Sequence, residues 1–334
     1  MKFGVVGPIS KDNIKWPNGE TISKFGAIVY TATALAKLIQ GSSDEIVCLS
    51  QMSLSDLDEV VELLNHPNIK FIYNEGEKTV GTEIELAYVN QHDRVSKQTR
   101  IMTPIALPEM TMLKDCDCII LMPLNETDIE IEQLKQFRKV SRATIFLDLH
   151  DLITGVDEQG RRFKKYWEQP EEWLKTIDIL KMNEKEATWA AGRPLETFND
   201  YLDYAITVIK TGLIACWITF GDQASLIVWR HGDRKVWATV PVSNTGDVVD
   251  MIGCGDSASG GFIYAYANLH SPIIAVVVGN MVGSVKAATY KASDFPTREE
   301  ARYMITQHYR DYFHKILDEF IFEHHLTLKE IKEE

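Results

Sequence analysis

Apolar and polar positions along the chain fall into short runs whose period keeps switching. KFGVVGP opens as a buried strand ending in Gly-Pro. GAIVYTATALAKLI then carries apolar residues at helical spacing and ends at Gly41. EIVCLS is a second apolar run of strand length, and SDLDEVVELLN reads as a helix with an acidic first half. Strand followed by helix, repeated, predicts a parallel sheet covered on both faces. Between Ile69 and Ile105 the pattern changes: IKFIYN, TEIELAYVN and TRIMTPI alternate apolar with polar, with no helical stretch between them. That predicts an antiparallel β insertion with one face exposed.

The helix–strand alternation resumes with CDCIILMP, IEIEQLKQFRK, ATIFLDLH, PEEWLKTI, DILKMN, EKEATWAAG and DYLDYAITVIKTG. ACWITFG, ASLIVWRHG and KVWATVP follow as strands separated by turns. Helices finish the chain, from Arg298 onward, before the charged tail LKEIKEE. No internal repeat or low-complexity linker interrupts the pattern. One α/β domain carrying a small β insertion is therefore expected over the 334 residues.

Composition narrows the chemistry. Hydrophobic residues make up 45% and charged ones 25%, ordinary for a soluble enzyme. The net charge of −13, with no Lys/Arg-rich run, argues against nonspecific nucleic-acid binding, which needs phosphate neutralisation. A pocket of backbone N–H groups can still hold a phosphate against that global field. The five cysteines (Cys48, Cys116, Cys118, Cys216 and Cys254) are odd in number and form no C-x-x-C. That opposes a disulfide framework or a zinc site. Alternation along a strand would turn Cys116 and Cys118 to one face, as two buried structural thiols. The start MKFGVVGP is too quickly interrupted for a signal peptide. PIIAVVVGNMVGSV falls short of the ~18 residues of a spanning helix. A cytoplasmic protein is expected, with no membrane partner.

Three places carry chemistry-bearing residues at strand ends. In DMIGCGDSASGGF, Gly253-Cys254-Gly255-Asp256 precedes a helix, FIYAYANL, whose N-terminal N–H groups would converge on an anion. The plain alternative is a tight turn with Asp256 as helix cap. Asn183-Glu184-Lys185-Glu186 follows the strand DILKM and equally spells a capping box. Thr219-Phe220-Gly221-Asp222 closes ACWITFG and reads alone as a turn. Together they matter more, because ligands of open α/β sheets bind at the carboxyl ends of strands. The chain has no G-x-x-x-x-G-K-[ST], and no G-x-G-x-x-G follows its first strand, so a P-loop NTPase and a dinucleotide enzyme lose support.

These residues resemble the ribokinase-like (PfkB) carbohydrate kinases. The family's D-T-x-G-A-G-D stands here as Asp250 to Asp256, followed by Ser257, Ala258, Ser259, Gly260, Gly261 and Phe262. Its N-x-x-E matches Asn183 and Glu186, and its T-x-G matches Thr219 and Gly221. Gly7, Asp12 and Gly26 are similar in order to the N-terminal portion. The resemblance implies a three-layer α/β/α sandwich with a β-sheet lid formed by about 10–25 and 69–105. It implies a kinase that transfers the γ-phosphoryl of ATP to a hydroxyl of a sugar or sugar-like acceptor. Asp256 would be the base, and the backbone of Gly253, Cys254 and Gly255 the anion hole. Asn183 and Glu186 would organise Mg²⁺ through water. Asn183, Thr219, Gly221 and Asn280 would line the nucleotide cleft. Asp250 would shape a monovalent-cation loop for K⁺. The lid would exclude water and can pair between subunits as a homodimer.

The acceptor side departs from the family pattern. Where the family has G-G-x-x-x-N, this chain reads Phe25-Gly26-Ala27-Ile28-Val29-Tyr30. Tyr30 would either stack on a substrate ring or fill the core. D-x-N-x-R becomes Asp148-Leu149-His150-Asp151-Leu152, with histidine for asparagine and no arginine. Asp12 remains as the candidate grip on acceptor hydroxyls, with an exposed turn aspartate as its plain alternative. Arg100, at the edge of the insertion, would reach the phosphates or stay solvated. The substrate set is thus Asp12, Gly26, Tyr30 and Asp256, and a less anionic, more aromatic acceptor makes a nucleoside kinase the rival reading. A non-catalytic nucleotide or sugar sensor is the rival of a different class.

Overall fold

The computed structural model describes residues 1–76, 78–89, 94–243, 245–290, 294–314 and 329–330. In chain order the first third runs β1 (Lys2–Val6), β2 (Lys11–Lys15), β3 (Thr21–Phe25), α1 (Ile28–Leu38), β4 (Glu45–Leu49), α2 (Leu57–Leu63) and β5 (Ile69–Ile72). Then come β6 (Glu83–Tyr88), β7 (Arg94–Arg100), α3 (Leu107–Thr111), β8 (Cys118–Leu121), α4 (Ile131–Arg138) and β9 (Thr144–Asp148). The middle adds β10 (Thr154–Val156), β11 (Arg162–Lys164), α5 (Pro170–Thr176), β12 (Ile179–Asn183), α6 (Glu184–Ala190) and α7 (Phe198–Lys210). The last part holds β13 (Ala215–Thr219), β14 (Ala224–His231), β15 (Arg234–Pro241), α8 (Cys254–Leu269), α9 (Pro272–Ala287), α10 (Arg298–His308) and β16 (Lys329–Glu330).

Among the described residues the central sheet has the order β16-β15-β14-β13-β12-β9-β8-β1-β4-β5. Pairing is parallel from β13 through to β5, and antiparallel across β13, β14, β15 and β16. The parallel strands are apolar on both sides, and alternation sends neighbours to opposite layers. Ala215 and Trp217 pack with α1, α8 and α9, whereas Cys216 and Ile218 pack with α4, α5 and α7. Carboxyl ends of the parallel strands share one edge, so β9, β12 and β13 deliver Asp148, Asn183 and Thr219 to one place. A second sheet, β3-β2-β6-β7, lies against that edge, with Ile14, Ile84 and Leu86 packed on Ala27, Leu124 and Ile252.

Several expectations are corrected. IKFIYN is not part of the insertion: its β5 pairs parallel with β4 at the margin of the central sheet. The insertion is not wholly antiparallel, because β2 and β6 pair in parallel. TRIMTPI leaves its strand at Arg100 and continues without regular structure to Ala106. In the tail, Lys329 and Glu330 add a short strand beside β15, while 315–328 and 331–334 lie outside the described residues. Cys116 and Cys118 face opposite layers, since the strand begins only at Cys118 and does not set the direction of Cys116. All five cysteines are free thiols. PIIAVVVGNMVGSV forms most of α9, and no helix among the described residues is long and apolar enough to cross a membrane.

The helix pair α8–α9 is seated on the sheet through small residues. A Cβ on Gly279 would lie 2.8 Å from Trp217 Cη2 and 2.9 Å from the Ala258 carbonyl oxygen. Backbone cannot yield as a flexible side chain can. Gly279→Ala should therefore lower the free energy of unfolding by about 1–3 kcal/mol through overpacking, read as a drop in the urea midpoint at constant slope.

Candidate active site

The carboxyl edge of the sheet and the small sheet enclose a cleft of about 970 Å³. Its floor is the turn into α8. Gly253 occupies the N-cap position at φ 82, a left-handed conformation that glycine adopts without strain. A Cβ there would lie 2.5 Å from Tyr30, so the turn rests directly on that ring. Asp256 falls in the first turn of α8 and is buried. Thr31 Oγ1 donates to its carbonyl at 2.8 Å, tying the turn to α1. First-turn N–H groups have no acceptor within their own helix, and the helix dipole adds positive potential there. The Cys254 N–H reaches back to the Met251 carbonyl at 3.4 Å. The Cys254 thiol lies 3.6 Å from the Asp250 carbonyl, and burial pushes its pKa up to about 11, which makes it a poor nucleophile at neutral pH.

Behind the floor is a buried polar knot. Lys181 Nζ donates to Asp148 Oδ2 at 2.5 Å and to the Gly255 carbonyl at 3.0 Å. Ser259 Oγ donates to the same Asp148 oxygen at 2.7 Å. Lys181 and Asp148 are only 4% and 1% exposed, so each needs the other as a counter-charge. Sequence reasoning assigned Lys181 no role. Its signal was a lone cation within the apolar run DILKM, where strand burial demands a partner.

His150 is the second residue whose place the sequence left open. It stands just past β9 at φ 48, with its ring between two carboxylates: Nε2 is 3.2 Å from Asp256 Oδ1 and Nδ1 is 3.2 Å from Asp151 Oδ2. Desolvation would lower its pKa, but the hydrogen bonds and charges of Asp151 and Asp256 outweigh that and hold it well above the usual histidine range. As an imidazolium the ring would donate to both carboxylates. Asp151 in turn meets Arg162 Nη2 at 2.6 Å and Lys164 Nζ at 3.2 Å from β11, and accepts from Thr154 Oγ1 at 2.6 Å. Against desolvation, these cations keep its pKa well below the carboxylate range. Arg162 supplies from β11 a cation that the sequence lacked at Leu152, which is buried instead.

Asn183 and Glu186 form the capping box of α6. The Asn183 N–H donates to Glu186 Oε2 at 2.8 Å, its amide to Oε1 at 2.7 Å, and the Glu186 N–H to Asn183 Oδ1 at 2.9 Å. Both also line the cleft. Desolvation and the nearby Asp148 charge push the Glu186 pKa up to about 7, a strain that a bound divalent cation would relieve. Among the described residues no cluster of three or more His, Cys, Asp or Glu is placed to hold a metal directly. This hard-oxygen pair fits Mg²⁺ that keeps most of its water.

Asp12, on β2, is buried and lines the cleft, so it is not an exposed turn residue. Gly26 adjoins it: a Cβ there would stand 3.1 Å from Asp12 Oδ2. Trp16 and Tyr88 stack at 4.3 Å and 17° on the cleft side of the small sheet. Thr219 lines the cleft at the end of β13, and Gly221 turns the chain toward β14 at φ 61.

Of the remaining candidates, Tyr30 and Arg100 take their plain alternatives, and Asn280 and Asp250 make internal contacts. Tyr30 is 3% exposed and does not face the cleft; it is the support under Gly253, and desolvation first, then Asp250, Asp12 and Asp256, raise its pKa. Asn280 is buried in α9, accepting from Ser225 Oγ at 2.9 Å and donating toward the Val240 and Pro241 carbonyls, so it joins the helix to β14 and β15 and lines no cleft wall. Arg100 pairs on the surface with Glu83 at 2.8 Å and with Ser53 at 3.1 Å. Asp250 is bound to ammonium groups: Oδ2 faces Lys24 at 3.2 Å and Lys286 at 3.0 Å, while Oδ1 accepts from the Ile252 N–H at 3.0 Å.

Residues 158–298 match the family model described as pfkB family carbohydrate kinase. No curated protein matches the sequence. Solved structures share the fold at low identity. Arabidopsis thaliana ribokinase complexed with ribose and ATP superposes with a TM-score of 0.70 at 15% identity, over 91% of this chain and 98% of that one. A pyrophosphate-dependent kinase of the ribokinase family, complexed with a pyrophosphate analog and myo-inositol, gives 0.68 at 17% identity over 90% and 99%. Burkholderia thailandensis nucleoside kinase in complex with inosine gives 0.65 at 15% identity over 92% and 98%. Residues 158–298 are thus similar to the pfkB family carbohydrate kinases, and the chain as a whole shares the fold of these ribokinase-family structures.

Proposed function

We propose that this chain transfers the γ-phosphoryl group of ATP to a hydroxyl of a sugar or sugar-like small molecule, with Asp256 as the base. One observation carries the reading: a buried carboxylate in the first turn of a 16-residue helix, on the floor of a cleft whose walls hold Asp12 on one side and Thr219 on the other. A carboxylate is a weak base for an alcohol, but phosphoryl transfer depends more on positioning than on early deprotonation. Asp256 would orient the acceptor hydroxyl and take its proton as the bond to phosphorus forms. The N–H groups of the turn at Gly253, Cys254 and Gly255 would stabilise charge on the transferring group. Mg²⁺, when bound with the donor phosphates, neutralises their charge. Asn183 and Glu186 would hold it through water, and Asn183 and Thr219 would line the nucleotide side of the cleft.

His150 would keep the Asp256 carboxylate facing the cleft. The Trp16–Tyr88 pair offers an aromatic face at the acceptor end, which favours nucleosides as the second acceptor class to test. The small sheet would act as a lid that excludes water. Its edge strands β3 and β7 expose Ile22 and Val95, which supports pairing of two copies through the same sheet.

The direct test is acceptor-dependent ADP release from Mg·ATP across a panel of sugars and nucleosides. No release with any acceptor on the panel, despite ATP binding, would favour the sensor alternative. Asp256→Asn should keep nucleotide affinity and lose about 10²–10⁴ in turnover; unchanged turnover would remove Asp256 from the mechanism. Glu186→Gln should raise the Mg²⁺ concentration for half-maximal rate, and an unaltered requirement would leave the pair as a helix cap alone. His150 has a raised pKa in the folded state, so its charged form stabilises the protein below its unfolded value of about 6.5. That stability should be lost as pH rises through the folded value. The stability difference between wild type and His150→Gln should therefore be constant in mild acid and shrink as pH rises from about 6.5 toward the folded value, measured by urea titration at each pH.

A further inference from the structure

The oxygens around Asp250 already hold a cation, and it belongs to the chain. Lys286, in the last turn of α9, is fully buried. Its ammonium lies 3.0 Å from Asp250 Oδ2, 3.1 Å from the Thr289 carbonyl and 3.5 Å from the Asp250 carbonyl. The same group lies 5.3 Å from the centre of the Tyr30 ring, within range of a cation–π attraction. The C-terminal end of the helix adds negative potential there. A desolvated ammonium with no counter-charge would be strongly unfavourable, so this one is held by design of its surroundings.

The position matters because Asp250 leads directly into the floor of the cleft. The N–H groups of Val249 and Asp250 donate to the Ala287 carbonyl at 2.8 and 3.2 Å, docking this loop on the end of α9. Asp250 Oδ1 accepts from Ile252, Tyr30 supports Gly253, and Cys254 Sγ faces the Asp250 carbonyl. Lys24, from β3 of the small sheet, reaches the same carboxylate. Asp250, Tyr30, Cys254 and the Thr289 carbonyl thus surround one ammonium immediately behind the turn that precedes Asp256. A monovalent ion does not fit this arrangement. The carboxylate and carbonyls it would need are hydrogen-bonded to Lys286, and a second positive charge beside a buried ammonium would be repelled.

The structure assigns to Lys286 the part expected of K⁺: a covalently attached cation that positions the Gly253–Asp256 turn and makes the protein independent of monovalent ions. This rests on the kinase reading for its effect on rate, while its structural half stands apart from it. Lys286 is a positioning residue, since it acts through Asp250 and Tyr30 and does not line the cleft.

The experiment compares melting temperature and ADP-release rate in potassium chloride and tetramethylammonium chloride at equal ionic strength. The two salts should give the wild-type protein the same values. Lys286→Met should melt about 5 °C or more lower. Its kcat should fall about 10- to 100-fold with the acceptor KM little changed, because a shifted turn misplaces the reacting groups. Lys286→Arg, which keeps the charge, should retain salt independence and recover part of the rate. A wild-type protein that melts higher or turns over faster in potassium overturns the assignment. So does Lys286→Met with undiminished kcat. If no acceptor yields turnover, the kinase reading fails, and the wild-type melting comparison still decides whether potassium is bound.

Discussion

The buried pair Lys181–Asp148 is the interaction on which the cleft depends. Asp148 ends β9, Lys181 lies one strand away in β12, and their shared hydrogen bonds reach Gly255 and Ser259 on α8. One ion pair thus registers two strands against the helix whose first turn carries Asp256. Such a pair adds little net stability over an apolar replacement, because desolvating both charges offsets their attraction. Its value is geometric: a lone carboxylate or ammonium there would be so costly that only the arrangement joining them is populated.

The cleft around this pair alternates sign at close range. Asp256 and Asp151 share His150, Asp151 is held by Arg162 and Lys164, and Asp250 is held by Lys24 and Lys286. Asp148, Asp151, Asp250 and Asp256 thereby each face a basic side chain, while Asp12 is carried into the cleft on β2 of the small sheet. Glu186 has a pKa raised to about 7 by desolvation and the Asp148 charge, and it is the carboxylate proposed above to hold hydrated Mg²⁺. A chain with net charge −13 can present such a surface to phosphates only by local compensation of this kind.

Much of the architecture was legible along the chain. Period-two apolar runs and period-3.6 helices followed each other closely enough to predict the parallel sheet, and Gly253–Asp256, Asn183–Glu186 and Thr219 were all recognisable at strand ends. What the pattern missed shares one cause. IKFIYN alternates as an exposed strand would, yet it is the margin of the central sheet, where one face is less covered. Tyr30 and Asn280 carry polar groups suited to a ligand but are spent on internal contacts with Gly253 and Ser225. Leu152 lacks the arginine that β11 supplies from another part of the chain.

The sequence by itself determined the element types, the two-faced burial of the strands and the motif residues, because periodicity and glycine-rich turns act over a few neighbouring positions. Tertiary structure alone decided which charges meet. His150 with Asp256, Arg162 with Asp151, Lys181 with Asp148 and Lys286 with Asp250 are pairs distant in sequence or on different elements. Desolvation is the physical reason: it leaves a local pattern silent but makes every charge carried into the interior find its opposite.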